Sequence, residues 1–185
     1  MALTFSDPME IGTQMPKFEL QDFSGTIYSS SKLLAEKRGI LVVFTCNHCP
    51  YAKAAWPILV SLSNTYPDIQ FIAINSNDPS DYPEDSKERM GEVVKIQNIQ
   101  FPYLVDGEQD VAKAFKAVCT PDPFLFKIES GEAKLFYHGR INDNWQHPDA
   151  VQEENLKDSI EVLLAGGNPP ENQPPSMGCS IKWKE

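Results

Sequence analysis

The residues best placed to do chemistry are Cys46 and Cys49, half of the four cysteines, in the run Phe44-Thr45-Cys46-Asn47-His48-Cys49-Pro50-Tyr51-Ala52-Lys53. Two thiols this close along a chain can close to a disulfide and reopen, which is thiol–disulfide exchange and needs neither a metal nor an organic cofactor. The apolar residues Ile40–Val43 before them read as a buried strand. Pro50 suits the first position of a helix, where its missing N–H would have no partner anyway. Cys49 is then predicted at the N-cap. A thiolate there meets unpaired N–H groups and the positive end of the helix dipole, which can take a cysteine pKa from about 8.5 to roughly 3.5–7.5. His48 adjoins it. A charged imidazole would stabilise the thiolate and make a disulfide more oxidising; the other reading is an exposed loop histidine with no chemical role.

The elements that must hold this run in place are legible as an alternation of strands and helices. Pro16 to Tyr28 forms two short alternating stretches around Ser24-Gly25, a predicted N-terminal hairpin. One or two helical turns are expected over 31–38, a core strand over 40–44, and a helix from Pro50 to about Asn64 with Pro57 inside it. A second buried strand spans 69–75. An acidic, proline-containing loop, Asp78 to Asp85, reads as solvated, with Tyr82 as an alternative gate. An amphipathic helix follows over 86–98, with Met90, Val93, Val94 and Ile96 as its apolar positions. Further strands are predicted at 101–105, 124–128 and 134–138, the last two as a hairpin. Short helices are expected at 110–115 and 149–165, the latter closed by Gly166-Gly167. Asn168 to Ser176 is too rich in proline for helix or sheet and reads as an extended linker to Met177–Glu185. The predicted organisation is an α/β domain over 1–167 followed by a linker and tail over 168–185.

Composition narrows the function. With 185 residues and 41% apolar content the chain can bury one full core. A net charge of −10 argues against nucleic acid or an anionic membrane as the partner, because both would repel it. No apolar run is long enough to span a bilayer, and Met1-Ala-Leu-Thr-Phe-Ser-Asp-Pro lacks a secretory signal's basic and apolar regions, so a cytoplasmic protein is expected. In a reducing compartment four cysteines point to catalysis, redox sensing or metal binding rather than structural disulfides.

A strand, a Cys-x-x-Cys at a helix start and a later Thr120-Pro121 before an apolar strand together resemble the thioredoxin superfamily. The Pro16–Gly25 segment, the insertion before Thr120-Pro121, and the Cys-Asn-His-Cys-Pro-Tyr motif resemble a peroxiredoxin-like group of the alkyl hydroperoxide reductase/thiol-specific antioxidant superfamily. The similarity covers roughly residues 9–165 and includes the Gly-Cys-Ser-Ile-Lys-Trp end. It implies a thioredoxin-like fold: a mixed central sheet flanked by helices, with the N-terminal hairpin and a peroxiredoxin-type insertion. It also sets a register. Thioredoxins carry an aromatic five positions before the attacking cysteine, a lysine four after and a proline eight after; Phe44, Lys53 and Pro57 fit this when counted from Cys49. Cys49 is then the attacking thiol, Ala52 replaces the usual resolving cysteine, and Cys46 is an added thiol. The peroxiredoxin pattern also puts its cysteine at Cys49, but its proline and threonine positions are Val42 and Cys46. Arg140 is the best counterpart of the peroxiredoxin arginine. Thioredoxin's buried acid is replaced by Val43, so a proton acceptor for the resolving thiol must come from elsewhere.

The resemblance further implies a cis Thr120-Pro121 facing the cysteines, with the Thr120 backbone free to pair with a bound chain. Cys119 reads as a small buried filler that could reach the site. Cys179 has two readings: a resolving cysteine returned to Cys49 by the linker, or part of a tail held down by Ile181 and Trp183. The expected function is a thiol–disulfide oxidoreductase in which Cys49 attacks and Cys46 resolves, with thioredoxin or glutathione as reductant. One alternative is a thiol peroxidase acting on hydroperoxides. The other is a copper carrier using Cys46, Cys49 and His138 or His147.

Overall fold

The computed structural model of the chain describes residues 3–184. In chain order the strands and helices are β1 (Leu3–Phe5), β2 (Glu19–Asp22), β3 (Ile27–Ser29), α1 (Ser30–Leu33), β4 (Gly39–Phe44), α2 (Pro50–Thr65), β5 (Ile69–Asn75) and α3 (Lys87–Ile96). They continue with β6 (Tyr103–Val105), α4 (Asp110–Phe115), β7 (Cys119–Thr120), β8 (Asp122–Glu129), β9 (Glu132–His138), α5 (Asn155–Leu164) and β10 (Met177–Ser180). Seven strands make a mixed sheet in the order β3-β2-β6-β5-β4-β8-β9, and β1-β10-β7 form a second, small sheet.

The large sheet is built around β4, in which all six residues are buried. A strand covered on both faces has no polar side to show, which is why Gly39-Ile-Leu-Val-Val-Phe44 reads as one apolar run. Successive side chains still point to opposite faces. Leu41 and Val43 join Trp56 and Leu59 of α2 and Ile160 and Leu163 of α5, while Ile40, Val42 and Phe44 pack on the other face with Met15, Phe18 and Phe115. Phe115 closes that second layer: its ring meets Phe44, Phe124 and Phe126 edge-on at 5.2, 5.5 and 5.9 Å. Each such side chain contributes about 1.5–3 kcal/mol by leaving water. The layers therefore grip β4 firmly, and the loop that leaves its end starts from a fixed point.

β4 runs parallel to β5 and antiparallel to β8, so α2 is the crossover between the two parallel strands and begins at the C-terminal end of β4. The predicted strands and helices are present, with three corrections. Ile96, expected on the apolar face of α3, is 76% exposed at the last position of the helix, while Val93 and Val94 of the same turn pack against the core. The last helix begins at Asn155 rather than 149; Pro148–Ala150 instead forms a separate short 3₁₀ turn that stops before it. The chain ends also carry strands that the alternation of apolar residues does not reveal. β10 pairs antiparallel with β1 on one side and β7 on the other, so residues 177–180 are built into a sheet. Ile181 is buried at the end of that strand and Trp183 is 42% exposed.

Candidate active site

The loop after β4 delivers three side chains in four residues: Cys46, His48 and Cys49. Cys49 is the N-cap of α2 with extended backbone, Pro50 stands at the first helical position, and the Lys53 N–H donates to the Cys49 carbonyl at 2.9 Å. The Ala52 N–H in the first turn of the helix therefore faces the Cys49 sulfur. Protonated, Cys49 donates to the Thr120 carbonyl at 3.4 Å. As a thiolate it accepts from the Cys46 thiol and, working against burial, from the Cys179 thiol and the N–H groups of Ala52 and Cys179, which brings its pKa down to about 5. Cys46, which donates that bond and lies buried near Asp85, is pushed well above the ordinary range. The two thiols are thus split, one a thiolate at neutral pH and the other its proton-bearing partner.

The Thr120-Pro121 bond is cis, and Thr120 faces both cysteines: its Oγ1 lies 3.3 Å from the Cys46 sulfur and its carbonyl meets Cys49. Cys179 arrives from β10, whose register sets it opposite Thr120, and its sulfur lies 2.6 Å from that of Cys49. Burial and the bond to Cys49 push Cys179 up to about 12, so it stays a thiol. Cys119 is buried on β7, and desolvation together with the Asp122 carboxylate raises its pKa. Arg140 commits its guanidinium to Asn155 and Glu153, at 2.8 and 2.6 Å. It also lines a cavity of about 250 Å³ shared with Phe5, Tyr51, Pro121, Trp145 and Met177.

Asp85 is the residue that sequence reasoning missed. It ends the acidic segment read as a solvated loop, yet it is buried at 4% exposure. The carboxylate takes the Asn47 N–H at 2.6 Å, the His48 ring nitrogen Nδ1 at 2.6 Å, the Asn77 amide at 2.9 Å and the Asn75 amide at 3.3 Å. Burial alone would raise its pKa, but bonds from His48, the Asn47 N–H and Asn77 outweigh that and hold it below the usual carboxylate range. Tyr103 fixes the same loop through its hydroxyl, which donates to the Asn47 side-chain oxygen at 2.9 Å. The His48 ring stacks on Tyr82 with centroids 4.5 Å apart, and its side chain is only 7% exposed, so it is not a solvated loop histidine. The one available signal was the Asn-His step beside Cys49, whose polar side chains need buried partners.

Among the described residues one group of metal-ligating side chains converges, Cys46, His48 and Asp85, with their ligand atoms within 4.8 Å of one another. The histidines needed by a copper carrier do not join it. His138 lies on β9 with its Nε2 2.9 Å from Asp122, and His147 is exposed. No helix among the described residues is long and apolar enough to cross a membrane.

Comparisons with known proteins place these features. An uncharacterized conserved protein from Geobacillus kaustophilus superposes with a TM-score of 0.91 at 38% identity, covering 100% of this chain and 97% of the other. A hypothetical protein from Sinorhizobium meliloti gives 0.91 at 35%, covering 98% of each. More distantly, a secreted disulfide oxidoreductase from Mycobacterium tuberculosis gives 0.58 at 17% identity, covering 78% of this chain and 95% of the other. A thioredoxin domain of a thiol-disulfide oxidoreductase from Bacteroides vulgatus gives 0.61 at 14%, covering 87% and 100%. These distant likenesses show that the fold is thioredoxin-like. Comparison with curated protein sequences finds no match. The AhpC/TSA family model matches residues 11–134, which include β4, the Cys46–Cys49 loop and the Thr120-Pro121 segment, and on that match the chain belongs to the AhpC/TSA family.

Proposed function

We propose that the protein is a thiol–disulfide oxidoreductase in which Cys49 is the attacking thiol and Cys46 resolves. The observation that carries this reading is the split between the two thiols, with Cys49 lowered to about 5 at the N-terminus of α2 and Cys46 raised beside it. The Cys49 thiolate attacks one sulfur of a disulfide and expels the other as a thiolate. The Cys46 thiol then loses its proton, attacks the Cys49 sulfur of the mixed disulfide and expels the second half of the substrate, leaving a Cys46–Cys49 disulfide. Thioredoxin or glutathione returns the pair to dithiol. The missing proton acceptor at Val43 is supplied by the His48–Asp85 pair, whose ligand atoms lie within 4.8 Å of the Cys46 sulfur. Substrates are protein or small-molecule disulfides.

The family match favours a second reading, reduction of hydroperoxides. There the Cys49 thiolate attacks the peroxide, becomes a sulfenic acid, and condenses with a neighbouring thiol with loss of water. Against it stand Cys46 in the threonine position and Arg140, whose guanidinium is held by Asn155 and Glu153.

Two measurements separate these. Cys49→Ser is expected to abolish insulin-disulfide reduction, and Cys46→Ser to stop turnover with Cys49 held in a disulfide; the reverse pattern would invert the roles of the two thiols. Mixing reduced protein with hydrogen peroxide while following tryptophan fluorescence is expected to give a rate no better than free cysteine. A much faster reaction would make it a peroxidase.

A further inference from the structure

Cys49 is fully buried, and what covers it is the chain's own C-terminal strand. Its sulfur has Cys46 at one side, the Thr120 carbonyl at another, and the Cys179 sulfur at 2.6 Å. The Cys179 sulfur holds a place from which the sulfur of an outside disulfide would meet Cys49. β10 is an extended chain that uses the Thr120 edge, with Cys179 paired to Thr120 and Ser180 to Cys119. A peptide disulfide laid along β7 would need that same edge and the same register. We propose that β10 is a resident substrate strand: it presents Cys179 to Cys49 as an incoming disulfide would present its sulfur, and it has to lift before any outside disulfide reaches the thiolate. This rests on the reading of Cys49 as the attacking thiol.

The fit is built in several places. A Cβ on Gly178 would overlap the Thr120 carbonyl, so only glycine lets the strand pass this close to the cis bond. Ser176 anchors the approach through its hydroxyl, which donates to the Pro121 carbonyl at 2.5 Å. Beyond Cys179, the Ile181 N–H reaches the Val118 carbonyl at 3.0 Å and the Lys182 N–H reaches the Asn77 side-chain oxygen at 2.8 Å. Asn77 also donates to Asp85, so seating of the tail and order around His48 share one residue. The contact with β7 itself is only two residue pairs long, the kind of short pairing that opens locally at low cost.

The chemistry balances with a low-molecular-weight disulfide as oxidant. The strand lifts, Cys49 attacks one sulfur, and one small thiolate leaves. When β10 reseats, the Cys179 thiol gives up its proton, attacks the Cys49 sulfur and expels the second small thiolate, forming Cys49–Cys179. Cys46 then attacks the Cys49 sulfur of that bond, expels Cys179 as a thiol and leaves Cys46–Cys49. Two protein thiols end as a disulfide, the outside disulfide ends as two thiols, and β10 is returned reduced.

The test uses the full-length Cys46→Ser variant, which stops the sequence at the resident bond, treated with glutathione disulfide and mapped by mass spectrometry. The expected product is Cys49–Cys179, with glutathione retained on less than about a tenth of the protein, whereas Cys46→Ser combined with Cys179→Ser keeps glutathione on Cys49. If Cys46→Ser alone retains glutathione while Cys179 remains a thiol, the strand is not a stand-in for substrate and the proposal falls. If neither variant takes glutathione on Cys49 and no Cys49–Cys179 bond forms, the attacking-thiol reading fails and takes this one with it. A second variant reads the cover directly: Gly178→Val is expected to speed alkylation of Cys49 by iodoacetamide at least about tenfold, because β10 no longer seats. An unchanged rate would show that the strand does not shield the thiol.

Discussion

Cys49 and Cys119 flank the same cis Thr120-Pro121 bond and are equally buried, yet the first is brought down to about 5 and the second is raised. Burial alone therefore does not decide which way a thiol's pKa moves in this protein; the groups facing each sulfur do. Cys49 looks at two thiols, the Ala52 N–H at the head of a helix and the Cys179 N–H of β10, all of which favour a negative sulfur. Cys119 opens the short strand β7 near the Asp122 carboxylate, which adds repulsion to desolvation. A buried thiol has its pKa lowered where the fold ends a strand and begins a helix, and raised one strand away.

The largest expected effect breaks the comparison outright. Cys49→Ser should lower insulin-disulfide reduction by at least about 10³-fold, whereas Cys119→Ser should change it by less than about twofold. Comparable losses from both would mean that Cys119 takes part in turnover.

Next comes Asp85→Asn, which keeps the shape of the carboxylate but removes the charge that His48 and three asparagine groups address. Chemical denaturation should show a loss of roughly 2–3 kcal/mol, the scale for hydrogen bonds to a buried charged group. Resolution by Cys46 should slow by about 10²-fold as its proton acceptor weakens, seen as delayed appearance of the Cys46–Cys49 disulfide. Because the folded pKa of Asp85 is depressed, its contribution is present above the unfolded value and fades as pH falls below about 4, so wild type and variant should converge in stability in acid. An unchanged gap between them at low pH would contradict that assignment.

The smallest effect concerns Cys119. Asp122→Asn removes the nearby charge but leaves the desolvation, so alkylation of Cys119 in the native protein should rise by less than about twofold. A large rise would show that the carboxylate, rather than burial, keeps this thiol inert.

Much of the comparison was legible in the residues. The apolar run to Phe44 and the later Cys49-Pro50 step predict a strand-to-helix junction, which the structure has between β4 and α2. That is a local signal, set by neighbours in the chain; the choice of Cys49 over Cys46 as attacking thiol is what the resemblance to thioredoxins implies through Phe44, Lys53 and Pro57. The parts that were hidden depend on distant pairings. β10 is four residues with one glycine and no alternating pattern, and it is a strand only because β1 and β7 supply its partners. Asp85 closes a run of acids and prolines with the composition of a solvated loop; its burial depends on Asn47, His48, Asn75 and Asn77 arriving from two strand ends. A proline-rich segment over 168–176 reads as a spacer, and its length does not reveal that it turns back to seat a cysteine on the active site.

The central claim is that Cys49 is a thiolate at neutral pH because of what surrounds it. The most direct measurement is the ultraviolet thiolate absorbance of the reduced protein as a function of pH, in wild type and Cys49→Ser. The account predicts one thiolate appearing with a midpoint near 5 in wild type and absent from the variant. A wild type with no thiolate below neutral pH, or a variant that keeps the transition, would contradict it.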